Sequence, residues 1–192
     1  MKKINIPMTI TMFYHSHFNV NVTDVPVYID DTLPNGCKGQ YQMASNRIVI
    51  RNAADYATIV HETMHYIQFN YNKSFSIVVD NYFPTIESLD LLETQEDLKE
   101  INETEPELRE AMELFLYWNK SVEIDARISE AIYEVENTGK LTASTLNHLF
   151  QCGASKRMMF AIDALKDLKA KKLLQKAYNM VREREGKDPV EW

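Results

Sequence analysis

The segment His61-Glu62-Thr63-Met64-His65 sets two histidines four positions apart, with a glutamate directly after the first. Residues four apart on a helix share a face, so both imidazoles can reach one divalent ion such as Zn²⁺. Glu62 then stands beside the ion rather than on it. A carboxylate in that place can take a proton from metal-activated water and pass it to a leaving amine. Chance gives roughly 0.01 matches to this pattern in a chain of such composition, so the three residues are read as one unit.

A zinc centre that does chemistry needs a third protein ligand and a fourth position left to water or substrate. Glu123-Ile124-Asp125-Ala126 supplies two carboxylates on a predicted helix, 58 positions beyond His65. Taken together, the two segments resemble the gluzincin group of zinc metallopeptidases, which includes thermolysin, and above all its small bacterial and phage-like members. The resemblance spans about residues 39–130. It implies a zincin-like fold, Zn²⁺ as cofactor, His61, His65 and Glu123 as ligands, and Glu62 as the base in peptide-bond hydrolysis. Asp125 stays open as the alternative third ligand. One position departs from the group's pattern. Four residues after Glu123, where gluzincins often carry a small polar or acidic residue that holds a ligand histidine, stands Arg127. Arginine accepts no hydrogen bond, so a ligand histidine must be held by Asp125 or by a backbone carbonyl. The competing reading of Glu123 is a salt bridge to Arg127 at i, i+4.

Other residues carry weaker signals. Gln68, three positions after His65, is either a hydrogen-bonding group of the site or a polar edge residue. His15 and His17 alternate on an expected strand, and with no third ligand in view they read as a surface pair. His148, Tyr133, Tyr117 and Arg127 all compete to steady a tetrahedral oxyanion. Gly39–Met43 precedes the zinc helix in the order that would let a substrate peptide pair along its edge.

These residues must be positioned by a scaffold. Only 5 of 192 residues are glycine and 6 are proline, which favours long helices over a many-turned β fold. The first fifty residues read as β: Ile4–Tyr14, Val20–Ile29, Gly39–Met43 and Arg47–Arg51, with a turn at Ala44-Ser45-Asn46. A helix follows from about Ala53 to Asn70, its core stripe formed by Val60, Met64, Ile67 and Tyr71. Residues 73–105 are variable, and helix resumes at Pro106 and runs to about Asn119. Ser121–Asn137 carries the glutamate, Thr142–Phe150 is short, and Ser155–Glu185 is a long basic helix with a loose tail after it. The expected class is α+β: a small N-terminal sheet, the active-site helix, the glutamate helix and a helical C-terminal extension. The metallopeptidase domain is placed at 1–140, with the extension at 141–192 packed on it.

The net charge of −7 hides an asymmetry. Glu87 to Glu113 holds eleven acids and two bases, a net of −9, and Lys156 to Lys187 holds ten bases and four acids, a net of +6. The overall acidity argues against nucleic acid as a partner, although the basic helix leaves it open. The acidic run is expected near the cleft rim, favouring basic substrate segments or capping the cleft. Cys37 and Cys152 share no metal or redox spacing. With no apolar run for a signal peptide or a membrane span, a cytoplasmic protein with free thiols acting on a peptide or protein is expected. The second function class is a zincin-fold structural or regulatory binding protein of a phage or mobile element, with weak or no cleavage. The intact Glu62 argues against it.

Overall fold

The computed structural model describes residues 1–75, 121–151 and 155–192. Within them the protein is α+β. Four strands form one sheet: β1 (Lys2–Ile4), β2 (Val27–Ile29), β3 (Gly39–Gln42) and β4 (Arg47–Ile50), in spatial order β1-β2-β4-β3. β1 and β2 are antiparallel, β2 and β4 parallel, and β3 and β4 antiparallel. Among the described residues β3 is thus an edge strand. The helices are α1 (Met8–Phe18), α2 (Tyr56–Tyr71), α3 (Ser121–Thr138), α4 (Ala143–Gln151), α5 (Ser155–Ala164) and α6 (Leu168–Arg184).

The strand expected at Ile4–Tyr14 is mostly a helix. Only Lys2–Ile4 pairs in the sheet, and α1 begins after Pro7. Pro7 carries φ −54, a value its ring imposes and a helix start accepts. Ile10, Phe13 and Tyr14 are all buried, and their spacing of three and four is helical. The run of Ile, Thr and Met masked that period. Asn19 closes the helix in the left-handed region at φ 53. His15 and His17 consequently leave opposite sides of a helix instead of sharing a strand face. His15 is exposed, and His17 Nε2 pairs with Glu136 Oε2 of α3 at 3.0 Å.

Smaller differences have equally local causes. Of the expected Val20–Ile29 strand only Val27–Ile29 pairs, yet Val20, Val22 and Val25 are buried all the same. The turn before β4 is a short 3-10 turn, Met43–Ser45, closed by Asn46 at φ 45. The N-cap of α2 is Asp55, whose side chain accepts from Thr58 N. Val60, Met64 and Ile67 fill the core as expected, whereas Tyr71 lies in the last turn and is exposed. The expected basic helix 155–185 is two helices. Asp167 caps the second by accepting from Lys169 N, a capping residue visible in the sequence. The tail is held down: Val190 N donates to Asn179 Oδ1, Asn179 Nδ2 donates to Val190 O, and the Trp192 ring meets Tyr178 edge-on. The expected variable segment, the Pro106 helix, the acidic run, Tyr117 and Cys152 lie outside the described residues.

One continuous buried cluster joins both layers. It runs from Ile10 and Phe13 through Ile48, Ile50, Met64 and Ile67 to Ile128, Ile132, Leu174 and Val181. The helices after residue 140 share that core, with α4, α5 and α6 all packed on α3. α1 braces α2 by a further bond, Tyr14 OH donating to Val60 O at 2.6 Å. Among the described residues no helix is long and apolar enough to cross a membrane.

Candidate metal centre and its cleft

α2 and α3 lie side by side, and each turns its polar residues to the other. On α2 the four-residue spacing stacks His61 over His65, with ring centroids 4.7 Å apart. From the first turn of α3, Glu123 reaches both rings: its Oε1 is 3.0 Å from His65 Nε2 and its Oε2 is 3.2 Å from His61 Nε2. The two Nε2 atoms are 3.0 Å apart. His61, His65 and Glu123 are the group of His, Cys, Asp and Glu side chains whose donor atoms converge within 4.8 Å among the described residues.

The partners on the far side of each ring fix what these nitrogens present. Gln68 Nε2 donates to Val122 O at 3.0 Å and to Asp125 Oδ2 at 3.2 Å. That orients its amide, so Gln68 Oε1 is the atom 2.9 Å from His65 Nδ1 and accepts its hydrogen. His61 Nδ1 lies 2.6 Å from Glu130 Oε1 and donates to it. With Nδ1 the donor on both rings, each neutral imidazole turns the Nε2 lone pair inward. Two lone pairs and a carboxylate then face one another in a buried place, and Glu123 Oε2 has no hydrogen-bond partner among the described residues. Such an arrangement suits a cation at its centre. Donor atoms about 2.0 Å from a tetrahedral ion lie about 3.3 Å from one another, close to the separations here. The residues fit a divalent metal ion.

Without a metal, protons fill the same need. Burial and Arg127 push the His61 pKa down, but Glu123 and Glu130 overcome both and raise it to about 10. His65 is likewise raised, by Glu123 against its own burial. Burial would raise Glu123, yet the two imidazoles hold it well below the usual carboxylate range. Burial opposes ionisation of Glu130 too, but nearby His148 and the bonded His61 bring it down to about 2.

Glu62 is buried next to the cluster, and its Oε2 accepts a hydrogen bond from Tyr41 N in β3 at 2.7 Å. Two features make this contact. Arg51 N donates to Lys38 O, which sets the antiparallel alternation so that the peptide groups of Gly39 and Tyr41 point away from β4. And Gly39 lets the strand lie close on α2. A Cβ there would sit 2.4 Å from Thr58 Cγ2 and 3.1 Å from Glu62 Cγ.

A cavity of about 600 Å³ opens at this end of β3, lined by Lys38, Gly39, Glu62, Arg127, Glu130 and His148 among others. Arg127 Nη1 is 2.5 Å from Glu130 Oε1, and His148 Nδ1 is 3.7 Å from Glu130 Oε2. Cys37 also lines the cavity. It is a free thiol that donates to Gly39 O, and burial pushes its pKa up.

The structure thus brings His61, His65, Glu123, Glu62 and Gln68 together. Asp125 stands outside the cluster: it holds Gln68 and accepts from Phe75 N at 3.0 Å. Its support of His65 is indirect, through the amide. Arg127 is committed to Glu130. Tyr133 is turned to α1, where its hydroxyl meets Thr9 Oγ1 at 2.8 Å, which removes it from the oxyanion candidates. The residue that sequence reasoning missed is Glu130. The signal was there, since Glu130 lies seven positions after Glu123, two helical turns along the same face.

No protein-family model, no curated protein and no solved structure matches this chain.

Proposed function

We propose that the protein is a zinc-dependent peptide hydrolase with a zincin-like centre. The reading rests above all on one observation: three inward-facing ligand atoms, from His61, His65 and Glu123, meet beside a glutamate that is bonded to a sheet edge. Two imidazoles and one carboxylate are a donor set that suits Zn²⁺ and leaves a position for water or substrate. When bound, Zn²⁺ supplies a Lewis acid that polarises a carbonyl oxygen and acidifies water near neutral pH.

The remaining work falls to the chain itself. Glu130 and Gln68 hold the two rings in the tautomer that ligation requires. Glu62, its Oε2 fixed by Tyr41 N–H, offers Oε1 to receive a proton and return it to the departing nitrogen. With Tyr41 N bonded to Glu62 and Gly39 O to Cys37, Gly39 N–H and Tyr41 C=O are the outward groups of β3 that offer an extended substrate main-chain hydrogen bonds. Arg127 and His148 line the cavity in which a carbonyl would develop negative charge. A structural or regulatory role for the same fold has no use for Glu62 held in this way, and so the hydrolytic reading is preferred.

The test is metal analysis of the purified protein, followed by digestion of a peptide library with and without a chelator. Stoichiometric zinc and chelator-sensitive cleavage are expected. Zinc without cleavage would move the protein to the structural or regulatory class.

A further inference from the structure

The cavity beside the metal centre extends from it in one direction. Its lining on α2 is Ala57, Thr58, His61 and Glu62, and on α3 it is Arg127, Glu130 and Glu134. The two helices run antiparallel, since His65 meets Glu123 while His61 meets Glu130. The start of α2 thus lies level with the later turns of α3, and the cavity reaches toward both. Glu134 stands four residues after Glu130, on the same face and about 6 Å further along the helix. Thr142, just before α4, lines the same end, and its Oγ1 accepts from Thr145 N at 3.2 Å.

The charges around this cavity are unequally matched. Arg127 and His148 both stand against Glu130, at 2.5 and 3.7 Å. Asp55 caps α2 by accepting from Thr58 N, and Glu62 accepts from Tyr41 N. Lys38 stands on the β3 wall, where it is exposed. Glu134 is half-buried. Among the described residues its carboxylate meets Thr142 Oγ1 at 3.5 Å, the outer limit of a hydrogen bond, and pairs with no basic side chain. A carboxylate partly withdrawn from water and facing a walled space holds a cation more strongly than one on the open surface. Lysine and arginine carry their charge at the end of an apolar stem. The methyl groups of Ala57, Thr58 and Thr145 give such a stem a wall to lie on.

We propose that Glu134 is the specificity-determining residue of a subsite that takes the lysine or arginine side chain of a substrate residue flanking the cleaved bond. The cavity begins at His61 and Glu62, so a side chain that enters it belongs to a residue beside the reacting bond. The proposal rests on the peptide-hydrolase reading, and its test is kept separate from turnover.

The probe is a set of blocked, fluorescently labelled octapeptides of Ala, Ser and Gly with one Lys moved through the positions. A matching set carries norleucine, which keeps most of the stem and lacks the charge. Binding is measured at low salt to the full-length, zinc-loaded E62Q protein. At least one Lys peptide should bind about tenfold tighter than its norleucine counterpart. Glu134→Gln keeps the shape and an acceptor for Thr142. Added to E62Q it should bring that ratio close to one, and Glu134→Lys should bring it below one, with melting temperature and zinc content checked alongside. Equal binding within every Lys and norleucine pair, no binding of any peptide, or a ratio untouched by either Glu134 variant overturns the proposal. Wild-type digestion separates the two readings. Cleavage with no preference for a base beside the cleaved bond sinks the subsite alone. Lys-selective, Glu134-dependent binding without any cleavage sinks the hydrolase reading alone.

Discussion

Glu130 Oε1 stands 2.6 Å from His61 Nδ1, across the seam between two helices, and takes the hydrogen that fixes the tautomer of that ring. Arg127, on the same helix as Glu130, sits 2.5 Å from the same oxygen. The arginine that seemed to break the ligand-holding pattern is thus part of it, one step removed. Glu130→Gln keeps the shape and removes the charge. It should weaken zinc affinity by about 10–100-fold, measured by competition with a chromophoric chelator. Unchanged affinity would show that the bond orients nothing.

Glu62→Gln should bind zinc at full stoichiometry and lose cleavage by about 10²–10⁴-fold. The measurement is kcat/KM on any peptide the wild type cleaves, beside metal analysis of both proteins. Full activity in the variant would end the assignment of Glu62 as base.

Glu123 and Asp125 divide two roles between them. Glu123→Ala should lose zinc, since it removes the oxygens that meet both rings. Asp125→Asn should keep zinc with reduced affinity, because Asp125 reaches His65 through Gln68. If metal analysis gives the reverse order, Asp125 is the ligand.

The metal-free protein should lose stability as pH rises. His61 has a pKa of about 10 when folded, against 6.5 as the reference value. The group binds its proton more tightly in the fold, so its contribution is complete below pH 6.5 and is lost on the way to 10. Urea midpoints taken in a chelator should fall across that window. The zinc-loaded protein, where the ion replaces those protons, should hold its midpoint. A flat profile in the metal-free protein would contradict the proton-filled cluster.

Gly39→Ala tests the seating of the edge strand. The new Cβ would sit 2.4 Å from Thr58 Cγ2, and overpacking of this kind costs about 1–3 kcal/mol. Stability and turnover should both fall as Tyr41 N moves off Glu62. Adding Thr58→Ser removes the methyl and should restore part of both, read as coupling in a double-mutant cycle.

Helix α2 was legible because its two signals agree. The four-residue spacing of His61 and His65 and the buried period of Val60, Met64 and Ile67 both require a helix. Glu123 was legible from its neighbours but could not be separated from Asp125, because two carboxylates two positions apart offer the same chemistry to a reader of sequence. α1 was misread because Ile, Thr and Met suit a strand, and its helical period shows only once Ile10, Phe13 and Tyr14 are seen to be buried together.

The sequence by itself determined which groups this protein has for chemistry: two stacked imidazoles, a glutamate beside them and a carboxylate helix to face them. Local spacing suffices for that, since a helix fixes the direction of every side chain it carries. Only the tertiary structure decided the partners across elements. Glu130 on His61, Asp125 on Gln68 and Tyr41 N on Glu62 each join positions that packing alone brings together. No local period encodes the distance between two helices or between a helix and a strand edge. The buried cluster that runs from α1 to α6 sets those distances, and with them which lone pairs face one another.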